Sequence, residues 1–573
     1  SVVNQPPIPS SVNTNCGDGA SIRPNPRGII GKLAKGLIKM TNKSFAKCLL
    51  ASGSALRALA LTGAGVAAAG VFAAAPAAAQ DYTAGAITGT VTDDAGNPVE
   101  GATVTITSNS QGFTRTSTTT SSGNFRFNSL PTGSYDIVVT GGGFANYQAT
   151  DVAVLAGETA NLGVRVSSGN EIVVTGSTIV TSFEGTTTGL NVDVEELTKR
   201  VPLPRDLTSV VLLAPGTTQG DSAFGNLASI GGSSVAENAY YLNGLNITNF
   251  DNYLGSARVP FDFYRSVEVK SGGYPAEFGR ATGGIVNAVT KSGSNDFFGG
   301  VHLDYSPNDL RSDGDDLLNC TYNVPGDPTG GTTCDPITNR AADYTESYSA
   351  VLEAGLPIIK DRLFVYGLVE FRDSETVRVN RNSALATREI QDDPFWGVKV
   401  DAYPIDNQHL EFTIFDTRRT TERTQAAYTE TGSDYDIGAY SPTANFNFGG
   451  LNYVGKYTGN FSDWLTVSAA YGVMEDRFDN EVLGDAAGQP LVYNLSGQTV
   501  GGVADGGFLT DQTSLSLISP YETRREFYRG DVDLFVELAG EHHFRIGFDV
   551  EETNLSKAGV RTGGDFLNAN GLI

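Results

Sequence analysis

From residue 297 onward, apolar and polar side chains alternate along the chain with the period of two that is typical of a β-strand. Val301, Leu303 and Tyr305, for example, alternate with His302 and Asp304. The same alternation returns at residues 363–372, 396–402, 528–538 and 544–551. Each predicted strand therefore has one apolar face and one charged face. A soluble sandwich also alternates, so this pattern predicts strands without identifying what surrounds them.

The connections between these strands indicate a membrane barrel. Short connections at 357–362, 404–408, 462–463 and 539–542 take turns with long polar ones at 307–343, 380–394, 417–450 and 480–522. Strands of about 9–11 residues joined in this way, with aromatic residues near their ends, are typical of outer-membrane barrels. Residues 296–573 provide about nine such strands. Because an unclosed barrel would leave strand edges in lipid, we expect the chain to be a fragment of a longer protein.

Two earlier regions have different patterns. Between residues 85 and 166, short alternating segments at 87–91, 104–107, 125–127 and 135–139 are separated by Gly, Pro and Asn turns, which predicts a small β-sandwich. Residues 190–293 mix the two periods. Segments 192–201 and 204–213 have helical spacing, whereas 239–245, 267–270 and 285–290 have the pattern of strands and turns. The chain is therefore expected to be mainly β: a sandwich, then an α+β domain, then an incomplete barrel.

The first 79 residues are not expected to be part of the folded domains. Met40 is followed by Lys43, Lys47 and Arg57 and by an uncharged, Ala-rich run over 58–79, which is the layout of a secretory signal peptide. We expect cleavage just before Gln80. Residues 1–39 have no core-forming pattern and are expected to be a disordered upstream extension.

Two family resemblances rest on particular residues. The segment 89–104 (GTVTDDAGNPVEGATV), followed by Gly123-Asn-Phe-Arg-Phe127 and Leu130-Pro-Thr-Gly-Ser-Tyr135, resembles the carboxypeptidase regulatory-like domain, an accessory sandwich. The order of two helices, Tyr241-Leu-Asn-Gly244, the segment 267–279 and the segment 283–290 resembles the plug domain of TonB-dependent outer-membrane receptors, in particular their Oar-like branch. The resemblance implies a regulatory-like domain at 80–168, a TonB box and plug at 169–295, and a barrel of the 22-stranded, plugged type from 296.

The resemblance also implies roles for individual residues. Glu171, Ile172, Val173, Val174 and Thr175 resemble a TonB box, which adds as a strand to a sheet of the periplasmic partner TonB. The alternative is that this short strand simply opens the next domain. Seven residues are expected to permit the turns and the close packing of the plug: Asn243, Gly244, Gly272, Gly273, Gly279, Gly283 and Gly284. Asn243 stands where these plugs often have Asp, and Asn suits a tight turn equally well.

Charge and composition exclude several functions. The net charge of −25 disfavours a nucleic-acid partner. The chain has four His, the first at His302, so the N-terminal half lacks the residues for a zinc peptidase site. The neighbours His542 and His543 point to opposite faces of a strand and cannot share one ion. We therefore expect no metal, no cofactor and no catalytic centre.

The first long loop holds a pair of cysteines and a run of acidic residues. Cys320 and Cys334 are an even pair, which suits an oxidising compartment and predicts a disulfide, with two free thiols as the alternative. The acidic residues Asp309, Asp313, Asp315 and Asp316 lack the spacing of a calcium loop, so we expect a solvated loop there.

The sequence thus predicts a TonB-dependent receptor in the bacterial outer membrane, embedded in lipid, that takes up an extracellular ligand actively and draws its energy through TonB and the inner-membrane energising complex. The alternative is an Oar-like surface protein for adhesion or for export of a protein partner. A secreted enzyme with sandwich modules is the poorest of the three hypotheses. The sequence does not identify the ligand.

Overall fold

The fold is that of a computed structural model. It describes residues 82–141, 144, 146–167, 173–174, 187–201, 204–221, 224–225, 227–274, 278–279, 281–312, 314–321, 333–431, 434–483, 517–537, 541–561, 567–568 and 571–572. The expected signal peptide and upstream extension lie outside these residues.

The first domain is a β-sandwich. One sheet has the order β4-β1-β7, and the other has the order β3-β2-β5-β6-β8. The apolar positions of the alternating segments meet between the sheets, where Ile87, Ile106, Phe127 and Ile137 are buried. The strands are β1 Ala84–Thr92, β2 Thr103–Ser108, β3 Thr114–Thr118, β4 Asn124–Pro131, β5 Gly133–Thr140, β6 Tyr147–Val154, β7 Thr159–Arg165 and β8 Val173–Val174. The predicted sandwich is confirmed, with the predicted segments inside β1, β2, β4 and β5.

The second domain, which we call the plug, has a five-stranded sheet of order β13-β12-β15-β14-β9. The strands of the plug domain, inside and outside this sheet, are β9 Thr188–Asp193, β10 Thr217–Gln219, β11 Ala228–Ile230, β12 Ala239–Leu242, β13 Leu245–Asn246, β14 Tyr264–Gly272 and β15 Ile285–Thr290. Strands β10 and β11 form a separate hairpin. All six residues of β15 are buried, because it lies between β12 and β14 in the sheet.

Two short helices accompany this sheet, α1 Val194–Arg200 and α2 Leu207–Val211, together with 3₁₀ turns at Val235–Glu237 and Phe261–Phe263. Asp193 and Asp206 cap the helices by accepting hydrogen bonds from the amides of Glu196 and Ser209. Both helices are shorter than the predicted segments 192–201 and 204–213. The predicted start of the first helix, at residue 192, is too early because residues 188–193 form strand β9, which pairs with β14.

The third domain is a 13-stranded sheet, which we call the wall. Its strands are β16 Phe298–Ser306, β19 Tyr344–Ile359, β20 Leu363–Asn380, β21 Leu385–Gln391, β22 Phe395–Ile405, β23 Gln408–Asp416, β24 Arg419–Thr431, β25 Asp434–Ile437, β26 Ser441–Phe448, β27 Leu451–Ser462, β28 Leu465–Val482, β30 Tyr521–Glu537 and β31 Glu541–Lys557. Smaller pairs outside the wall are β17 Leu318–Thr321 with β18 Thr333–Pro336, β29 Leu517–Ile518 with β32 Val560–Arg561, and β33 Leu567–Asn568 with β34 Gly571–Leu572. Two 3₁₀ turns, Asn308–Leu310 and Arg340–Ala342, lie in the first long connection.

We call one crossing of the wall by the chain a pass. Three neighbouring passes are interrupted, at 392–394, 417–418 and 449–450, and each is therefore divided into two strands: β21 with β22, β23 with β24, and β26 with β27. On one side of the interruptions the order is β20-β22-β23-β27-β28, and on the other it is β20-β21-β24-β26-β28. Gly449 has φ +79, and the Thr417 amide bonds the Gly450 carbonyl at 3.0 Å. The described residues thus make nine passes.

The wall corrects two expectations about length. Strands β19, β20, β28, β30 and β31 have 16, 18, 18, 17 and 17 residues rather than 9–11. The segments 380–394 and 417–450, expected as loops, contain β21 and β24–β26. Apolar alternation stops where a strand leaves an apolar environment, but the hydrogen-bonded ladder continues through Thr, Arg and Glu side chains.

The two faces of the wall differ in polarity. Val301, Leu303 and Ile546 project from the outer face and are 65%, 77% and 67% exposed. On the inner face of β20, Tyr366 and Leu368 pack into the same buried cluster as plug residues. An outer surface with so many exposed apolar side chains fits an apolar surrounding rather than water. Among the described residues, the helices are too short and too polar to cross a membrane.

Candidate functional site where the plug meets the wall

The two last plug strands occupy the centre of the plug. Strands β14 and β15 pair antiparallel with Val267 opposite Ala288, and β9 pairs with the other edge of β14. Val267, Val269 and Val286 pack into a cluster that continues into the wall through Val351, Tyr366 and Phe415. The predicted strands at 267–270 and 285–290 are therefore part of a core shared by two domains.

Gly283 and Gly284 lie where the chain enters β15, and both are tightly enclosed. A Cβ atom on Gly283 would lie 2.4 Å from the Ser233 hydroxyl oxygen, and one on Gly284 would lie 2.4 Å from a methyl carbon of Ile230. Such distances are well below van der Waals contact, so the backbone here leaves no room for a side chain. These contacts support the proposed packing role of both glycines.

The other expected packing glycines behave differently. Gly279 is exposed, and a Cβ atom there would meet nothing within 4 Å, so its expected packing role is wrong. Gly273 is also exposed and has φ +65, which makes it a turn glycine rather than a packing glycine. Gly272 is half-buried, and a Cβ atom there would lie 3.2 Å from the Thr188 hydroxyl, which is closer than ordinary van der Waals contact.

Asn243 and Gly244 form the tight turn between β12 and β13, with φ values of +49 and +82. The Asn243 side chain is buried and reaches two domains. Its Nδ2 donates to the hydroxyls of Thr290 in the plug (2.7 Å) and Thr413 in the wall (2.8 Å), and its Oδ1 accepts from the Thr290 amide (3.0 Å). Asn243 therefore ties the plug turn to wall strand β23.

A buried charged pair lies on β14. Lys270 and Glu268 are two residues apart, so they share one face of the strand, and the Lys270 ammonium donates to Glu268 Oε1. Asn287 on the neighbouring strand donates to Glu268 Oε2 at 3.4 Å. Burial raises the pKa of Glu268, and the opposing effects of Lys270 and Asn287 are smaller.

Asp401, His409 and Glu411 on the inner face of the wall bring three possible metal-ligand atoms within 4.8 Å of one another. Two ammonium groups share this site. Lys399 Nζ lies 3.2 Å from Glu411 Oε1, and Lys456 Nζ lies 3.9 Å from Glu411 Oε2. Because two lysines already balance two carboxylates, the group is better described as an ion-pair network joining β22, β23 and β27. The sequence analysis missed it, although inward charges two residues apart on adjacent strands were a usable signal.

The first long connection contains a disulfide. Cys320 on β17 and Cys334 on β18 stand opposite each other and are bonded, with an S–S distance of 2.03 Å. In the nearby acidic run, Asp316 accepts from the Arg340 amide (2.7 Å) and from the Arg381 guanidinium (2.8 Å). Asp316 is therefore held by hydrogen bonds rather than simply solvated, and Asp313 lies outside the described residues.

The segment that resembles a TonB box is described at two residues. Val173 and Val174 form strand β8, which pairs parallel with Tyr147 and Gln148 on β6 at the edge of the sandwich. Glu171, Ile172 and Thr175 lie outside the described residues. The backbone of this segment is thus engaged as an added strand on a sheet of its own chain.

Comparison with known families gives two domain matches. Residues 86–167 match the carboxypeptidase regulatory-like domain, and residues 184–285 match the TonB-dependent receptor plug domain. The chain is 33% identical over 259 residues to the TonB-dependent transporter Oar of Myxococcus xanthus. That match covers 43% of this chain and 24% of Oar, so the chain spans about a quarter of the length of this relative.

The solved structures that this chain matches in part include the siderophore receptor PirA from Acinetobacter baumannii, with TM-score 0.40, 16% identity, and coverage of 64% of this chain and 48% of PirA. The outer membrane transporter YddB from Escherichia coli has TM-score 0.37, 14% identity, and coverage of 65% of this chain and 56% of YddB.

Proposed function

We propose that this chain, with its matches to the regulatory-like and plug domains and its similarity to Oar, is a TonB-dependent receptor that takes up an extracellular ligand actively across the outer membrane. The wall crosses the lipid, the plug closes the passage inside the wall, and TonB supplies the energy from the inner membrane. The activity is transport rather than catalysis.

The observation that carries this proposal is the contact between plug and wall. The plug and the inner wall share one buried apolar cluster, and Asn243 donates a hydrogen bond across their boundary. A plug held by a continuous core and by single polar bonds blocks solutes at rest. Opening a passage then requires work on the plug, because buried apolar contacts and hydrogen bonds must be broken.

The work is applied, in this proposal, at Glu171–Thr175. An extended segment can add to the edge of a partner's sheet, where backbone hydrogen bonds supply the affinity. Val173 and Val174 already pair in this manner with β6, so the segment has the backbone geometry that strand addition requires. TonB would take the place of β6 as the pairing partner. The apolar outer face of the wall contacts lipid, which places the receptor in the bacterial outer membrane.

The test measures TonB binding and uptake together. A peptide covering residues 168–178 should bind the periplasmic domain of TonB, and replacing Val173 with Pro should abolish binding, since Pro lacks the amide proton that strand pairing uses. A peptide of the same composition in scrambled order is the control. Absence of binding, together with normal growth-substrate uptake by cells that lack residues 171–175, would overturn the proposal and leave adhesion or protein export as the function.

A further inference from the structure

Residues Tyr82 and Thr83, which we call the strap, run between the plug and the wall just ahead of the first sandwich strand. Each is only 3% exposed, although they precede the first strand of the chain's first domain. Ala84, the next residue, already belongs to β1. The strap therefore connects the sandwich directly to the boundary between the other two domains.

On the plug side, the strap belongs to an aromatic cluster. The Tyr82 ring lies 4.7 Å from the Phe278 ring and 5.1 Å from the Tyr241 ring, measured between centroids. The side-chain Nδ2 of Asn287 donates to the Tyr82 carbonyl at 2.7 Å, and it also donates to the buried Glu268. The strap is thus bound to β12 and β15 through both its side chain and its backbone.

On the wall side, the strap is held by charged groups. The Arg529 guanidinium lies 4.1 Å from the centre of the Tyr82 ring, and its Nη2 donates to the Tyr82 hydroxyl at 3.3 Å. The Lys456 ammonium donates to the Thr83 hydroxyl at 2.7 Å, and that hydroxyl donates to Glu411 at 3.2 Å. Cation–π contacts of this kind strengthen when water is excluded. Three wall strands, β23, β27 and β30, therefore contact two residues.

The strap fills space that would otherwise be open. A residual cavity of about 20 Å³ remains beside it, lined by Tyr82, Thr83, the turn Asn243–Gly244, Ser468 and Arg529. That volume holds about one water molecule. Without the Tyr82 side chain, this cavity would extend into the space of the ring, between the Asn243–Gly244 turn and Arg529. The strap therefore closes the boundary at this point.

We propose that the strap is a removable seal between the plug and the wall, and that the sandwich is the handle that withdraws it. Because Tyr82 is two residues from β1, a displacement of the sandwich pulls the ring out of its aromatic and cationic contacts. A passage then opens beside the Asn243–Gly244 turn while the plug sheet stays folded. This inference rests on the proposed transport function, since a seal matters only where solutes can pass.

The test measures passive leakage, which needs neither TonB nor the natural ligand. Cells that make the whole receptor with Tyr82→Ala should become several-fold more sensitive to a glycopeptide antibiotic too large for general porins. Tyr82→Phe is the matched control: it keeps the ring and the cation–π contact and should leave sensitivity unchanged. Unchanged sensitivity of the Tyr82→Ala cells, with normal receptor in the membrane, would overturn the seal without affecting the transport proposal. Equal leakage from both variants would also overturn it.

A second measurement covers the case in which Tyr82→Ala fails to assemble. Thr83→Cys should react much more slowly with a bulky maleimide than Thr159→Cys, because Thr159 is exposed on the sandwich. Both variants keep Tyr82. Equal reaction rates in intact membranes would mean that the boundary is open at rest, and the seal would be refuted.

Discussion

Replacing Asn243 with Ala tests how firmly the plug turn is tied to the wall. The substitution removes three hydrogen bonds: two donated to the Thr290 and Thr413 hydroxyls, at 2.7 and 2.8 Å, and one accepted from the Thr290 amide, at 3.0 Å. Each buried hydrogen bond contributes about 1 kcal/mol net, and a buried amide left without an acceptor costs about 1–3 kcal/mol. Ala also tolerates φ +49 less well than Asn, at a cost of about 1 kcal/mol. With about 1 kcal/mol for each of the two hydroxyl bonds, about 1–3 for the unpaired Thr290 amide and about 1 for the strain, we expect a total destabilisation of about 4–6 kcal/mol.

Two control variants separate these contributions. Asn243→Gly removes the same hydrogen bonds but has no strain at positive φ, so it should be about 1 kcal/mol less destabilising than Ala. Asn243→Asp keeps the acceptor for the Thr290 amide, and both threonine hydroxyls can rotate to donate to the carboxylate. We therefore expect Asp to be the mildest of the three replacements.

The assay is hydrogen exchange at the Thr290 amide, combined with urea unfolding of the purified protein. Loss of the acceptor should speed exchange at Thr290 at least about tenfold in the Ala variant, since about 1.4 kcal/mol corresponds to a factor of ten. Exchange in sandwich strand β1, which does not contact Asn243, is the internal reference. Unchanged exchange at Thr290 in the Ala variant would refute the hydrogen-bond arrangement described above.

Three further outcomes are expected. Gly284→Val should disturb plug assembly, because even a Cβ atom would lie 2.4 Å from Ile230. Gly279→Val is the control and should be tolerated, because a Cβ atom there meets nothing within 4 Å. Equal protease sensitivity of the two variants would contradict the packing role of Gly284. Lys270→Met should cost about 3–5 kcal/mol because it leaves the buried Glu268 without its cationic partner, and the double variant with Glu268→Gln should recover much of the loss in urea unfolding. Burial raises the pKa of Glu268 above 4.5, so the folded plug binds protons more readily than the unfolded chain. The free energy of unfolding should therefore fall as the pH rises from 4.5 through the raised pKa. Glu268→Gln should flatten that slope, and an unchanged slope would exclude Glu268 as its source.

The fold was predictable wherever side-chain period and secondary structure agree. Alternation located the sandwich strands and the outer face of the wall, because one face of each is buried or lies in an apolar surrounding. Alternation did not predict the parts of the wall strands that lie beyond the segments with an apolar face. Strand β21, with the sequence LATREIQ, has no continuous apolar face and is held by its ladder to β20 and β24. Ladder pairing depends on neighbours that are distant in sequence, so a local pattern does not report it.

The site was predictable in part. The turn at Asn243 and the enclosed Gly283 and Gly284 follow from the turn chemistry and the glycine pattern, whereas the same pattern misassigned Gly279, which has open space around it. The strap gave no sequence signal. Tyr82 is a single aromatic residue outside any periodic segment, and its partners Tyr241, Phe278 and Arg529 are between 159 and 447 positions away. Contacts of that kind become visible only in three dimensions.

The three aligned interruptions of the wall have a consequence for engineering. Because β21, β24 and β26 pair in the same order as β22, β23 and β27, and because β20 and β28 continue past both sets, the halves beyond the interruptions form a self-contained cassette. Its boundaries are the turn at 381–384 that follows β20 and the interruptions at 392–394, 417–418 and 449–450. A cassette from a related protein could be joined at these boundaries without shifting the register of β22, β23 and β27, so that new contacts would be grafted onto an otherwise unchanged wall.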